Sequence, residues 1–222
     1  MQITFPRNAH VALFRVLTFL IFSALAMFSL TAAPKVEAAT ILVLGDSLSA
    51  GFGIGQNEAW PNLLQRKLQT DPNFAKKGHR VINASISGET TAGGRQRLGT
   101  LLDQHRPDIV IVELGANDGL RGLALAAMKT NLEAILKLNQ QKGARSLLIG
   151  MRLPPNYGPY ADAFAQTFAS LAKQTQTPAL PFLLDRLQQT PQHFQADGLH
   201  PTREAQSILL DNVWPVLKPM LN

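Results

Sequence analysis

Ile41-Leu42-Val43-Leu44 runs directly into Gly45-Asp46-Ser47-Leu48-Ser49, and this stretch decides the fold. An apolar run that stops abruptly at Gly-Asp-Ser predicts a buried strand whose last residues deliver a hydroxyl to the carboxyl end of a sheet. Open α/β sheets present their binding crevice at that edge. The sequence therefore predicts a polar site immediately after the first strand.

Short apolar runs alternate with longer amphipathic segments along the rest of the chain. The predicted strands cover residues 40–44, 80–83, 108–114, 146–151 and 179–182, and the predicted helices cover 58–70, 92–104, 124–142, 160–175 and 202–221. Such alternation implies right-handed crossovers and a parallel sheet. We predict an α/β fold, a three-layer αβα sandwich around about five parallel strands in the flavodoxin-like order 2-1-3-4-5.

The first 38 residues differ in composition from the rest of the 222-residue chain. Arg7 and Arg15 precede an uncharged apolar stretch over residues 16–33, and small residues flank position 38. This layout is typical of a secretory signal cleaved after Ala38, with Ala33 and Ala39 as other candidate sites. The alternative is an uncleaved anchor, because the apolar stretch approaches the roughly 17–25 residues that span a bilayer.

Interspersed Ser and Thr residues dilute the apolar stretch and favour removal of the segment. We therefore expect a signal peptide over residues 1–38, one catalytic domain over residues 39–222, and an exported protein that is periplasmic or secreted.

Charge and cysteine content exclude several function classes. The formal net charge of +6 falls to +4 without residues 1–38, and the Lys and Arg residues form no dense block. The sequence therefore predicts no nucleic-acid partner, while weak contact with an anionic membrane surface is compatible with the charge. The chain has no cysteine, which excludes thiol nucleophiles and thiolate metal sites.

Three loops rich in Gly, Ser, Asn and Asp follow the first three predicted strands, over residues 45–49, 85–91 and 115–122. They meet at one sheet edge if the strand order is right. Ser47 in the first loop is the candidate nucleophile. The alternative is that Asp46 and Ser47 only form a turn or a helix cap.

The candidate base is His200, because Asp197 stands three residues before it with Gly198 between them. A tight turn there would hold the carboxylate against one ring nitrogen and direct the other at a hydroxyl. The alternative is a capping arrangement for the final helix. We expect His79 and His105, which lie in basic surroundings, to be solvated surface residues.

Acyl transfer also requires donors directed at the oxygen that becomes negatively charged. The candidates are the backbone N–H of Ser47, the bare backbone of Gly88 and the side-chain NH₂ of Asn117. Each of these residues also suits an ordinary turn, but together they would form an oxyanion hole.

Four blocks carry a resemblance to a known family: Gly45-Asp46-Ser47-Leu48, Gly88 after Asn83-Ala84-Ser85-Ile86-Ser87, Gly115-x-Asn117-Asp118, and Asp197-x-x-His200. The chain resembles the SGNH (GDSL) hydrolases, and within them the periplasmic thioesterase I, lysophospholipase L1 and protease I group. The resemblance implies Ser47 as nucleophile, Gly88 and Asn117 as oxyanion donors, and His200 as base supported by Asp197. It also implies the sandwich fold and no metal or organic cofactor.

The expected activity is hydrolysis of carboxylic esters and thioesters, such as lysophospholipids, acyl thioesters and aryl or short-to-medium acyl esters, by a monomer acting on small-molecule or lipid substrates. Alternatives are an acyltransferase or a non-catalytic module that binds acyl chains or glycans. An apolar rim for an acyl chain is predicted from Leu120, Leu123, Leu153, Pro154, Pro155 and Tyr157, in loops that should flank the mouth; loop packing alone is the other interpretation.

Three other enzyme classes fit the sequence poorly. No serine has the G-x-S-x-G setting of a conventional α/β-hydrolase. The glycines at positions 51, 53 and 55 miss the dinucleotide-binding spacing. A metal site could be built from Asp46, Asp118, Asp197 and His200. One histidine without any cysteine is a poor set of ligands for a metal ion.

Overall fold

The computed structural model describes residues 1–2, 38–187 and 189–221. The described residues from 38 to 221 belong to one compact unit. Most of the predicted signal segment, residues 3–37, lies outside the described residues. Within the described ranges, no helix is long and apolar enough to cross a membrane.

Five parallel strands form the sheet in the order β2-β1-β3-β4-β5, which confirms the predicted topology. They are β1 (Thr40–Gly45), β2 (Arg80–Asn83), β3 (Ile109–Glu113), β4 (Arg145–Ile149) and β5 (Ala179–Leu180). The strand ends differ from the predicted ones by at most two residues. All five residues of β3 are buried, as expected of a central strand covered on both faces.

The α-helices of the described residues are α1 (Ser47–Ala50), α2 (Trp60–Thr70), α3 (Thr91–His105), α4 (Ala116–Leu120), α5 (Leu125–Gln141), α6 (Pro159–Thr175) and α7 (Gln206–Leu217). Short 3₁₀ turns cover Gln56–Glu58, Ala75–Lys77, Pro155–Tyr157, Pro191–His193 and Lys218–Leu221. The sequence missed α1 and α4 because four or five residues are too few to show a helical period. The last helix was predicted to begin at residue 202 but begins at Gln206, after a series of turns.

The helices cover both faces of the sheet. Helices α2 and α7 pack together, while α3 packs on α5 and α5 on α6. Helix α3 also contacts β1, and α5 and α6 both contact β4. The predicted three-layer sandwich is therefore confirmed, with its apolar core between sheet and helices.

The environment of His79 contradicts the prediction of a solvated side chain. His79 is 5% exposed, and its Nδ1 accepts a 2.9 Å hydrogen bond from the Ala39 N–H. Burial and the nearby Lys77 lower the pKa of the imidazole. The reason is the register of the sheet, because Arg80 pairs with Thr40 and brings the preceding residue against the start of β1. His105 ends α3 and is half-buried.

Candidate active site

Ser47 is the first residue of α1 and stands two positions after Gly45, the last residue of β1. Asp46 caps the helix, since its Oδ1 accepts a 3.0 Å hydrogen bond from the Leu48 N–H. Gly51 ends the helix in the left-handed region, with its N–H donating to the Ser47 carbonyl. This strand–turn–helix sequence places the half-buried Ser47 at the carboxyl edge of the sheet, where the sequence predicts it.

The structure brings Ser47, His200 and Asp197 into one hydrogen-bonded chain. His200 Nε2 lies 2.9 Å from Ser47 Oγ, and His200 Nδ1 lies 2.6 Å from Asp197 Oδ2. The second Asp197 oxygen accepts hydrogen bonds from the Leu199 and His200 N–H groups. This geometry lets the imidazole remove the hydroxyl proton while the carboxylate fixes the ring's orientation and tautomer.

Asp197 is hydrogen-bonded to the His200 imidazole and does not cap the final helix. The hydrogen bond from the His200 N–H, with further bonds from the imidazole and from Leu199, lowers the pKa of Asp197 to about 2. The carboxylate therefore stays charged around neutral pH and can stabilise an imidazolium. Because α7 begins at Gln206, the capping alternative for Asp197 is wrong.

The loop that carries His200 is tied in several places. Gly198 has a φ of 68°, which a tight turn requires, and an antiparallel bridge joins Phe194 to Pro201. The Phe52 ring packs on the His200 ring with centroids 4.5 Å apart. The sequence analysis missed Phe52, and its proximity to Ser47 in sequence was the only available signal.

Asn117 lies in α4, and both of its amide hydrogens already have acceptors. Asn117 Nδ2 donates to Asp46 Oδ2 and to the Glu89 carbonyl, each at 3.0 Å. Donation to an oxyanion would share or replace one of these bonds. Gly88 lies in the adjacent loop at a φ of 78°, and its carbonyl accepts a 3.0 Å hydrogen bond from Arg121 Nη2. The predicted donors thus stand on neighbouring loops, and their oxyanion role stays a prediction.

Asp118 links two of these loops, a role that the sequence analysis missed. Its carboxylate accepts from the Thr91 N–H at 2.9 Å and from the Thr91 hydroxyl at 2.6 Å. Thr91 begins α3, directly after the loop that contains Gly88 and Glu89. Asp118 therefore fixes the start of α3 relative to its neighbour Asn117.

Two buried carboxyl groups lie behind Ser47. Asp46 is 1% exposed, and burial raises its pKa to about 6, against the hydrogen bond from Leu48 and the proximity of His200. Glu113 is fully buried, and burial together with the charge of Asp46 raises its pKa well above the ordinary value. The charge on Asp46 therefore disfavours a second charge on Glu113.

A cleft of about 910 Å³ opens beside Ser47, Asn117 and His200. Its walls include the predicted Leu120, Leu153, Pro154 and Pro155, although Leu120 ends α4 rather than lying in a loop. Further apolar wall residues, which the sequence analysis did not name, are Met151, Phe182, Leu184, Phe194 and Leu199. Met151 and Phe182 follow β4 and β5, so their place at the carboxyl edge was the signal for them.

Two predicted rim residues do not line this cleft. The Tyr157 hydroxyl donates to the Leu120 carbonyl at 3.1 Å, and the Tyr160 hydroxyl donates to the Leu123 carbonyl at 2.7 Å. These tyrosines brace the segment after α4. Tyr157 and Leu123 therefore lie outside the cleft lining, and a direct contact with substrate stays a prediction. Among the described residues, no group of three or more His, Asp or Glu side chains is arranged to hold a metal ion.

Comparison with known proteins gives consistent matches. The family model described as GDSL-like Lipase/Acylhydrolase matches residues 43–208. Esterase TesA of Pseudomonas aeruginosa is 46% identical over 188 residues, covering 84% of this chain and 92% of that protein. Thioesterase 1/protease 1/lysophospholipase L1 of Escherichia coli is 44% identical over 184 residues, covering 82% of this chain and 85% of that protein.

A solved structure shares the fold closely. The psychrotrophic esterase EstA from Pseudoalteromonas, inhibited by monoethylphosphonate, superposes with a TM-score of 0.77 at 40% identity. The match covers 83% of this chain and 99% of that one. The EstA chain therefore folds with little more than the matched region.

Replacing Asp46 by Asn should change how stability depends on pH. Because the folded pKa of Asp46 is raised to about 6 from 3.8, its contribution to stability is present below pH 4 and is lost as pH rises through 6. The loss is on the order of 2–3 kcal/mol. Relative to the parent, Asp46→Asn should therefore gain this amount of unfolding free energy between pH 4 and pH 7, as measured by urea denaturation.

Asp162→Asn, at an exposed position in α6, is the matched control for this comparison. Its pH profile should run parallel to that of the parent. Parallel profiles for the parent and Asp46→Asn would contradict the prediction.

Proposed function

The chain belongs to the GDSL-like lipase/acylhydrolase family, and from this premise we propose that it is a serine esterase that hydrolyses carboxylic esters and thioesters through an acyl-enzyme on Ser47. The observation that carries the proposal is the hydrogen-bonded chain from Ser47 Oγ to His200 and Asp197, at 2.9 and 2.6 Å, at the edge of an apolar cleft.

Acylation begins when His200 Nε2 takes the Ser47 proton and the hydroxyl oxygen attacks the acyl carbonyl carbon. The carbonyl oxygen becomes an oxyanion, and the Ser47 N–H, Gly88 N–H and Asn117 NH₂ are the proposed donors to it. The charged Asp197 stabilises the imidazolium. Collapse of the intermediate breaks the bond to the alcohol or thiol, which leaves with the proton from His200.

Deacylation repeats these steps with water as the nucleophile. His200 takes a proton from water, the hydroxide oxygen attacks the acyl-enzyme, and Ser47 leaves with the proton returned by His200. Neither half of the reaction requires a metal ion or an organic cofactor.

Hydrolysis is favoured over acyl transfer to another acceptor and over binding without turnover. The relatives are named as an esterase, as a thioesterase, protease and lysophospholipase, and as an arylesterase. The EstA relative is inhibited by a phosphonate, a reagent class that reacts with activated serines. The proposed nucleophile, base and orienting carboxylate are hydrogen-bonded to one another in this chain.

The apolar walls of the cleft support acyl chains as the substrate group. Leu120, Leu153 and Pro154 line the same cleft as Ser47. We propose lysophospholipids, acyl thioesters and aryl or short-to-medium acyl esters as the substrate class, in agreement with the names of the relatives.

We also propose that residues 1–38 are a signal peptide and that residues 39–222 act outside the cytoplasm, in the periplasm or after secretion. The support is the order of basic, apolar and small residues in the sequence. We propose a monomer as the working form.

Weak contact with lipid surfaces is supported by the distribution of exposed side chains. Apart from Met1, the exposed large apolar residues of the described chain are Phe52, Ile86, Leu120, Leu123 and Leu199, and all lie in or beside the loops around Ser47. Arg121 and Arg152 lie in the same region, and neither forms an ion pair with another described residue. An anionic lipid surface complements this combination.

A fluorophosphonate probe should label residues 39–222 stoichiometrically on Ser47, because His200 activates this hydroxyl. Peptide mass mapping locates the adduct, and His200→Ala should abolish it. Ser47→Ala should lose esterase activity while keeping its circular dichroism spectrum. A folded Ser47→Ala variant with parental activity would show that another residue is the nucleophile.

The cleft predicts a preference for acyl groups longer than acetyl. In a series of p-nitrophenyl esters, kcat/KM should rise with each added methylene, at up to about fourfold per buried CH₂, until the chain fills the cleft. Leu153→Ala should weaken this dependence because it removes part of the wall. A series with no preference beyond acetate would exclude an acyl-binding groove.

Inactive Ser47→Ala protein should sediment with phosphatidylglycerol vesicles more than with phosphatidylcholine vesicles, because only the former offer net negative charge. Arg152→Gln should lower the partition coefficient about fivefold, since one cation near the surface contributes about 1 kcal/mol. Arg80→Gln, at the other end of the sheet, is the matched control. Equal binding by both arginine variants would argue against docking through the cleft mouth.

A further inference from the structure

The turn that contains Ser47, residues 46–49, is hydrogen-bonded on its buried side to Glu113. This side chain takes no part in the proposed proton transfers. Glu113 ends β3 opposite Gly45, the last residue of β1. Its Oε2 accepts a 2.7 Å hydrogen bond from the Ser49 hydroxyl and a 3.3 Å bond from the Asp46 N–H. These two contacts lie on either side of Ser47 in sequence, so one carboxyl oxygen holds both flanks of the reacting residue.

The network continues into the core. Trp60 Nε1 donates to Ser49 Oγ at 3.2 Å, and the side chain of Asn83 donates to the Ser49 carbonyl at 2.8 Å. Ser49, Trp60 and Glu113 have no exposed surface. Hydrogen bonds in such a dry environment define geometry strongly, since no water replaces a lost partner.

Gly45 is the residue that makes this arrangement sterically allowed. A Cβ at position 45 would lie 2.7 Å from Glu113 Oε2 and 2.9 Å from Ser49 Oγ. The glycine at the end of the strand therefore leaves room for the Glu113 carboxyl group to pass over the backbone and reach Ser49.

We propose that Glu113 is a positioning residue for ester hydrolysis, which fixes the Asp46–Ser47–Leu48–Ser49 turn so that Ser47 Oγ stays within hydrogen-bond distance of His200. The inference rests on the proposed function and deepens it. Glu113 acts through Ser49 and the Asp46 backbone and touches neither substrate nor the reacting atoms.

We expect a neutral carboxyl group to suffice for this role, because Ser49 and the Asp46 N–H both donate to it and need only an acceptor oxygen. Burial and the charge on Asp46 both raise the pKa of Glu113, and Glu113 Oε1 has no hydrogen-bond partner among the described residues. The other titratable groups near the turn are His200 and Glu89, which act on Asp46. A neutral amide of the same shape should therefore replace Glu113 with little effect.

The test compares Glu113→Gln with Glu113→Met in residues 39–222. Gln keeps an oxygen acceptor for Ser49 and Asp46, whereas Met keeps the approximate volume and offers no comparable acceptor. We expect the rate of Ser47 labelling by a fluorophosphonate and kcat to stay within about threefold for Gln. Both should fall about 10²-fold for Met, with KM within about twofold, because a displacement near 1 Å costs about that much.

The pH profile tests whether Glu113 carries a charge in the parent protein. The acidic limb of kcat/KM for Glu113→Gln should coincide with that of the parent. A shift of this limb to lower pH would mean that Glu113 carries a charge beside Asp46 and His200, and it would overturn the neutral form of the proposal.

Ile111→Ala, in the same strand, is the matched control because Ile111 is buried and lies two residues before Glu113. It should lower Tm without slowing Ser47 labelling. If it slows labelling as much as Glu113→Met, general loosening of the strand explains the effect and the proposal is wrong. Labelling of Glu113→Met at the parental rate would also overturn it.

Ser49→Ala keeps the proposal testable if Glu113→Met does not fold. It removes one of the two hydrogen bonds to Glu113 and should slow labelling about tenfold, and an unchanged rate would overturn the proposal. Labelling of Ser47 in the parent protein separates failure of the positioning role from failure of the proposed function. If the parent is labelled and the variants are labelled at the same rate, only the positioning role is refuted. If the parent is folded but not labelled, the proposed function is refuted as well.

Discussion

The parallel pairing of β1 with β3 is the constraint on which the site depends. Their register aligns Ile41 with Ile109 and ends with Gly45 opposite Glu113. Because both strands stop at the same level, the residues that follow them, Ser47 and Asn117, emerge side by side. A shift of two residues in this pairing would separate them by about 7 Å, the advance of two residues along a strand.

Polar groups at this edge of the sheet satisfy one another with hydrogen bonds. Asp46 accepts from Leu48 and Asn117, and Asp118 accepts twice from Thr91. The bonds from Asn117 to Asp46 and from Thr91 to Asp118 join segments that follow different strands, whereas the bond from Leu48 lies within the turn of Ser47. Burial of a carboxylate is costly unless it is hydrogen-bonded, so these loops have few alternative arrangements with the same satisfaction. The site is therefore rigid for electrostatic reasons as well as through packing.

The sequence was sufficient for the fold and for the residues that project from strand ends. Apolar runs and glycine-rich loops located all five strands and their order, and the spacing from Asp197 to His200 identified the pair that the structure joins to Ser47. It was insufficient for Phe52, Glu113 and Asp118, because their partners are distant in sequence and nothing local marks them. His79 was misjudged for the same reason, since its contact with Ala39 depends on strand register and not on its basic neighbours.

The hydrogen bond between Ser47 and His200 closes a loop of 153 residues. A contact of such long range carries a large chain-closure entropy cost. The histidine loop has its own local ties, but its contact with Ser47 requires the strands between them to be in place. The nascent chain therefore carries all the reactive groups in an uncoupled form, and hydrolytic activity appears only when the last part of the chain has reached its place.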